Sequence, residues 1–508
     1  MGGVPKFCGH DPPIVALVVL GMIVGESSFR EGKHSQGYRL AGTPDIFYTM
    51  SSSVAIRSTQ IEICFLNQLD PNDKLPVIVW IHGGEFEIGG GSTYEPYYFL
   101  DKRLVLITFN YRLNVLGFMH LDDEFLSGNY GMKDQVMVLR WVQKYIYLFG
   151  GNKEKVTLAG SSAGAVSVNW HMYSPQSSGL FHQAICQSGT AKSIWAQIPR
   201  HVAQKRANAI ATMAGCVFQS IKENVECLRQ VPAEDLVRIS KSLRIWKDNP
   251  LTFGVVVESP TSDEPFVTTS PWTSTVSFTT EKPLMIGFTS DEGGLTVNGL
   301  LEDQGKALEE LGENYKRLFP VLMTYQFNMG LISEEAVLKV TEKIRERYFK
   351  QEKIGKSTFT QIKEMLADSQ VIYDTVQTLE KYKSPKYFYI YSHRNKHTFA
   401  ELESNFLDTS GPVHSDDLIS LFKLQNIFPD AEELDEADMK VSELMINLWT
   451  NFITKGDPNL ETSSEPKWNP VNNDELYFYK IDVNPTFEKL DWEKSNFYED
   501  LEWHSKTN

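Results

Sequence analysis

A serine hydroxyl is a poor nucleophile until a base takes its proton, and the base itself needs a partner that orients it. Gly160-Ser-Ser-Ala-Gly164 fits G-x-S-x-G, a strand-to-helix elbow that would expose the hydroxyl of Ser162 on a strained turn. Farther on, Gly287-Phe-Thr-Ser-Asp-Glu-Gly293 offers the acids Asp291 and Glu292. Gly411-Pro-Val-His-Ser-Asp-Asp-Leu418 then sets His414 in a loop before a helix. Serine, acid, histidine is the chain order that such an elbow requires of its partners. Upstream, His82-Gly-Gly-Glu-Phe86 and Gly89-Gly-Gly91 allow backbone N–H groups to approach a developing oxyanion. A phosphate cradle would instead need G-K-[ST] after the glycines, and none follows. Each signal alone is weak, since glycine-rich turns and loop histidines are common. Their order makes them an argument for acyl transfer.

These side chains need strands and helices to hold them. Val77-Ile-Val-Trp-Ile81, Leu104-Val-Leu-Ile-Thr-Phe109 and Val156-Thr-Leu-Ala159 read as buried strands. Between the last two, Asp134 to Leu148 carries apolar residues at helical spacing (Val136, Val138, Leu139, Trp141, Val142, Ile146), closed by Gly150-Gly151. Strand, helix, strand in that rhythm predicts an α/β fold with a mainly parallel sheet covered on both faces. Leu284-Met-Ile-Gly-Phe288 and Tyr387-Phe-Tyr-Ile-Tyr391 add two more strands. Residues 200–245 and 300–385 read as helices, and 250–280 as a polar loop region. No internal repeat is evident. The expectation is a single domain whose helical insertions cover the C-terminal edge of the sheet, where open α/β sheets bind ligands.

Composition narrows the partners. With 42% hydrophobic and 22% charged residues the chain can fill a large core. A net charge of −16 disfavours nucleic acid and polyanions, and leaves a neutral or cationic small molecule as the better substrate. Five cysteines are too few for a disulfide scaffold, and neither C-x-x-C nor a Cys/His cluster suggests a metal; no cofactor is expected. The apolar run Ile14-Val-Ala-Leu-Val-Val-Leu-Gly-Met-Ile-Val24 follows Lys6 and precedes Gly25. It has the length and order of a secretory signal over residues 1–25, which would make the product extracellular and leave 26–508 as the mature domain. The other reading of the run is a buried strand. No stretch reaches transmembrane length, and no usable N-glycosylation acceptor occurs.

From about Leu75 to Trp503 the chain resembles the type-B carboxylesterase and cholinesterase family, insect esterases above all. The resemblance is carried by Phe149-Gly-Gly-Asn-Lys-Glu-Lys-Val-Thr-Leu-Ala-Gly-Ser-Ser-Ala-Gly164, Asn129-Tyr-Gly-Met-Lys-Asp-Gln135, Gln187-Ser-Gly189, Asp291-Glu-Gly293, Val413-His-Ser-Asp-Asp-Leu418 and Leu448-Trp-Thr-Asn451. It implies an α/β-hydrolase fold and a serine carboxylesterase acting on small esters, with Ser162, Glu292 and His414 as triad. It implies oxyanion donors in the backbone of Gly84, Glu85 and Ala163, and a disulfide between Cys216 and Cys227. Glu292 is preferred to Asp291 because the family's acid directly precedes the glycine.

The chain also departs from that pattern. Its first seventy residues lack the family's opening motifs, and Cys64 lacks its family partner. Ser161 stands where cholinesterases carry glutamate, and the aromatic choline-binding loop is missing, so acetylcholine is a poor candidate substrate. Glu85 replaces a glycine or alanine; its carboxylate either lies near the expected oxyanion or turns outward and is paired. A catalytically silent adhesion protein on the same fold is the alternative function; such relatives usually lose a triad member, and here all three remain.

Overall fold

The computed structural model describes residues 15–21, 60–66 and 72–501, apart from 100–101, 122–124, 274–277, 280–281, 326–332, 405–409, 430–433, 461–465, 473–474, 491 and 493–494. Its centre is a ten-stranded sheet. The strands are β1 (Val15–Gly21), β2 (Gln60–Leu66), β3 (Leu75–Ile81), β4 (Val105–Phe109) and β5 (Gly151–Ser161), followed by β6 (Gln183–Gln187), β7 (Leu284–Thr289), β8 (Lys386–Tyr391), β9 (Tyr477–Ile481) and β10 (Thr486–Lys489). They lie side by side in the order β1-β2-β4-β3-β5-β6-β7-β8-β9-β10. From β4 to β9 all neighbours are parallel, and the pairings of β1, β2 and β10 are antiparallel.

The five strands read from the sequence are β3, β4, β5, β7 and β8. Each is a near-continuous apolar run because both faces are covered, as a parallel sheet requires. Alternate side chains divide between two cores: Val77, Val79 and Ile81 of β3 join one, Ile78 and Trp80 the other. The helices Tyr130–Tyr145 and Ala163–Tyr173 fill the first face, and Glu436–Lys455 fills the second.

Val15–Gly21, inside the leading apolar run, pairs antiparallel along β2. Two details differ from the sequence reading. The first long helix begins at Tyr130 rather than Asp134, because Asn129 in the left-handed conformation (φ 53°) starts it. The 250–280 segment is not an exposed polar loop. Val255, Val256, Phe266, Val267 and the Glu258 carboxylate are buried, and Glu258 accepts hydrogen bonds from Asn129 Nδ2 (2.8 Å), Lys133 Nζ (2.7 Å) and the Phe266 N–H (2.8 Å). The segment packs its apolar residues and one carboxylate inward, and Asn129 and Lys133 of another element supply that carboxylate's partners.

Candidate active site

The site gathers at the C-terminal ends of β3, β5, β6, β7 and β8. Ser162 follows β5 and opens the helix Ala163–Tyr173, with φ 55° and ψ −125°. Such a backbone needs tight neighbours, and the two glycines supply the room. A Cβ on Gly164 would lie 2.0 Å from the carbonyl oxygen of Ile81, and one on Gly160 would lie 2.6 Å from the Gly164 carbonyl carbon. The Ser162 N–H donates to the Gln187 carbonyl at 2.8 Å, which ties the elbow to the end of β6.

Because β3 and β5 are neighbours, with Ile81 opposite Gly160, the loop starting at His82 runs directly beside the elbow. A Cβ on Gly83 would lie 3.1 Å from Ser162 Cβ. The loop is held by bonds from Glu87 N and Ile88 N to the Gly84 carbonyl, both 2.9 Å. Gly84, Glu85 and Phe86 all have positive φ (104°, 60° and 62°). Among the described residues none of the N–H groups of Gly84, Glu85 and Ala163 donates to a backbone carbonyl. Two N–H groups of the glycine-rich loop and the one after Ser162 are thus without a backbone acceptor.

On the other side, β7 ends at Thr289 and its loop meets the histidine loop through a parallel bridge between Asp291 and Val413. That bridge brings together residues 122 apart in sequence: His414 Nδ1 and Glu292 Oε2 are 2.6 Å apart. The other oxygen of Glu292 accepts from Ser188 Oγ (2.6 Å), Thr289 N (2.7 Å) and Thr289 Oγ1 (3.1 Å). The Glu292 side chain is 1% exposed, that of His414 18%. Burial alone would raise the Glu292 carboxyl, but the His414 charge and these hydrogen bonds hold it below its usual value. Burial likewise disfavours a charged His414, yet Glu292 beside it, helped by Asp417 and Glu85, lifts the ring above the usual histidine value. A buried anion and a basic imidazole form one unit.

The Carboxylesterase family model matches residues 61–499. The chain belongs to the carboxylesterase family. It is similar to esterase E4 of Myzus persicae, 34% identical over 449 residues that cover 84% of this chain and 78% of that protein. Juvenile hormone esterase of Tribolium castaneum is 31% identical over 475 residues, with 88% and 80% covered. The crystal structure of juvenile hormone esterase from Manduca sexta, with OTFP covalently attached, superposes with a TM-score of 0.73 at 27% identity, covering 88% of this chain and 83% of that one.

Within this carboxylesterase three features bear on the chemistry, the first two unassigned by the sequence. Ser188 and Thr289 hold the back of Glu292. Ser188 lies in the Gln187-Ser-Gly189 match, but no local pattern gave it a role. Asp417, fully buried, is gripped by Gln187 Nε2 (2.8 Å) and Tyr389 OH (3.0 Å), and burial pushes its carboxyl up to about 6. Glu85 is exposed to solvent, although protein atoms surround much of its side chain. Lost hydration, then the charge of Glu87, lift its carboxyl to about 7 against the pull of Arg244 and His414. Away from the site, Cys216 and Cys227 form a disulfide. Cys186 is a buried free thiol, and among the described residues no His, Cys, Asp and Glu group is arranged for a metal. The side chains of Cys8 and Cys64 lie outside the described residues.

Proposed function

We propose that this carboxylesterase cleaves small carboxylic esters through an acyl-enzyme on Ser162. His414 takes the serine proton as the hydroxyl attacks the ester carbonyl, and returns it to the departing alcohol. Glu292 fixes the imidazole so that its other nitrogen faces the serine, and stabilises the imidazolium that forms. The N–H groups of Gly84, Glu85 and Ala163 receive the oxyanion. Water, deprotonated by the same histidine, then releases the acid. The observation that supports this most is the 2.6 Å His414–Glu292 pair, built on loops that the Asp291–Val413 bridge holds at the same sheet edge as the elbow.

Incubation with a fluorophosphonate followed by peptide mass spectrometry tests nucleophile, base and oxyanion donors together. One adduct per chain on Ser162, lost in Ser162→Ala, is the expected result. Hydrolysis of a p-nitrophenyl ester that survives in folded Ser162→Ala would overturn the mechanism. The Cys216–Cys227 bridge supports an oxidising, extracellular location for the enzyme. No described helix is long and apolar enough to cross a membrane.

A further inference from the structure

We propose that Lys363 is a positioning residue for the Glu292–His414 pair, its ammonium clamping together the two loops that carry them. The inference rests on the reading of that pair as catalytic. Lys363 lies in the helix Phe359–Ala367, within the long excursion between β7 and β8. Its Nζ donates to Asp291 Oδ2 at 2.7 Å and to Ser410 Oγ at 2.6 Å, and Ser410 Oγ lies 3.4 Å from the same carboxylate oxygen. Asp291 is the residue before Glu292, and Ser410 stands four before His414. One cation therefore holds the acid loop and the histidine loop at once, from outside the strands that bear them.

The contact has little slack. The Lys363 and Asp291 side chains are 7% and 14% exposed. Beneath the ammonium, the Asp291 N–H donates to the Pro412 carbonyl at 3.1 Å. A Cβ on Gly293 would come within 2.1 Å of the Lys363 carbonyl oxygen, and one on Gly294 within 2.6 Å of Val413 Cγ1. The residue after the acid thus rests on the backbone of the residue that makes the clamp. Buried ion pairs contribute little net stability, because desolvation offsets attraction. What they fix is geometry, and a reacting constellation displaced by about 1 Å loses about a hundredfold in rate. Neither loop carries a strand through its catalytic residue, and beyond the single Asp291–Val413 backbone bridge the register rests on side-chain ties.

The test compares Lys363→Met with the double variant Lys363→Met/Asp291→Asn, which removes both charges and leaves no buried ion unpaired. In Lys363→Met, kcat should fall by at least about tenfold while KM changes less than about twofold, since the loss is in alignment rather than substrate contact. The low-field proton resonance of the His414–Glu292 hydrogen bond should shift or broaden, and the melting temperature should drop. In the double variant the melting temperature should recover, while kcat and the resonance stay perturbed. Recovery of all three together would reduce Lys363 to a structural brace and overturn the inference, as would unchanged kcat in Lys363→Met. If Lys363→Met does not fold, the double variant carries the test. The resonance needs no turnover, so failure of the clamp is distinguishable from failure of the catalytic reading, which inactive wild-type enzyme would reveal.

Discussion

Ser188→Ala removes one hydroxyl behind the acid and little else. Its Oγ donates to Glu292 Oε1 at 2.6 Å, in a place where Glu292 is 1% exposed and no bulk water can substitute. Hydrogen bonds to charged groups contribute about 1.5–3 kcal/mol. The oxygen keeps two other donors, Thr289 N and Thr289 Oγ1, so the lower half of that range applies. Ser188 has φ 59°, and alanine shares its Cβ, so backbone strain is equal in both proteins and the hydroxyl alone is compared. If the lost stabilisation falls on the transition state, kcat drops about tenfold to fortyfold, at about 1.4 kcal/mol per tenfold. The sign of the pH effect follows. A carboxylate with fewer donors stays ionised at neutral pH and keeps more of its charge for His414, so it supports the imidazolium more and the ring becomes harder to deprotonate. The acid limb of kcat/KM should therefore move to higher pH. Initial rates on p-nitrophenyl butyrate across the neutral range, with circular dichroism to confirm folding, measure both. Unchanged kcat with an unmoved acid limb would show that the hydroxyl is spectator packing.

His414→Ala should cost about as much kcat as Ser162→Ala, because members of one catalytic unit do not add; a folded His414→Ala enzyme with near-normal turnover would refute the unit. Glu85 supports the His414 charge, so Glu85→Gln should carry the acid limb of kcat/KM to lower pH, opposite to Ser188→Ala; an unmoved profile would place its carboxylate away from the ring. Glu85→Gly should raise kcat about tenfold by removing charge from the oxyanion's surroundings, and should not cost stability, since a φ of 60° suits glycine better than glutamate. Removing the Cys216–Cys227 bridge by paired alanines should lower unfolding free energy by about 3 kcal/mol for its short loop, read from urea melts; no change would mean that the loop is equally ordered when open.

The sequence by itself was enough to read the carboxylesterase family and to single out Ser162, Glu292 and His414 as its candidate triad. Gly160–Gly164 needs little beyond its own turn to be recognisable, because the clash of a Cβ with Ile81 is met wherever such an elbow packs between strand and helix. The apolar runs of β3, β4, β5, β7 and β8 were legible because strands covered on both faces cannot hide their composition. β6 escaped for the opposite reason. Its ends are glutamines, and only tertiary structure supplies their partners: Phe452 O and Thr157 Oγ1 for Gln183, Asp417 for Gln187. The 250–280 segment was misread likewise, since polarity in a sequence says nothing about whether a buried partner waits for it. Ser188 and Lys363 could not have been assigned from spacing, because each reaches the Glu292–His414 loops from another element, and Asp417, three residues after His414, finds its partners on β6 and β8. Those ties depend on which strand ends lie side by side, and strand order is a property of the packed sheet, absent from any local stretch of chain.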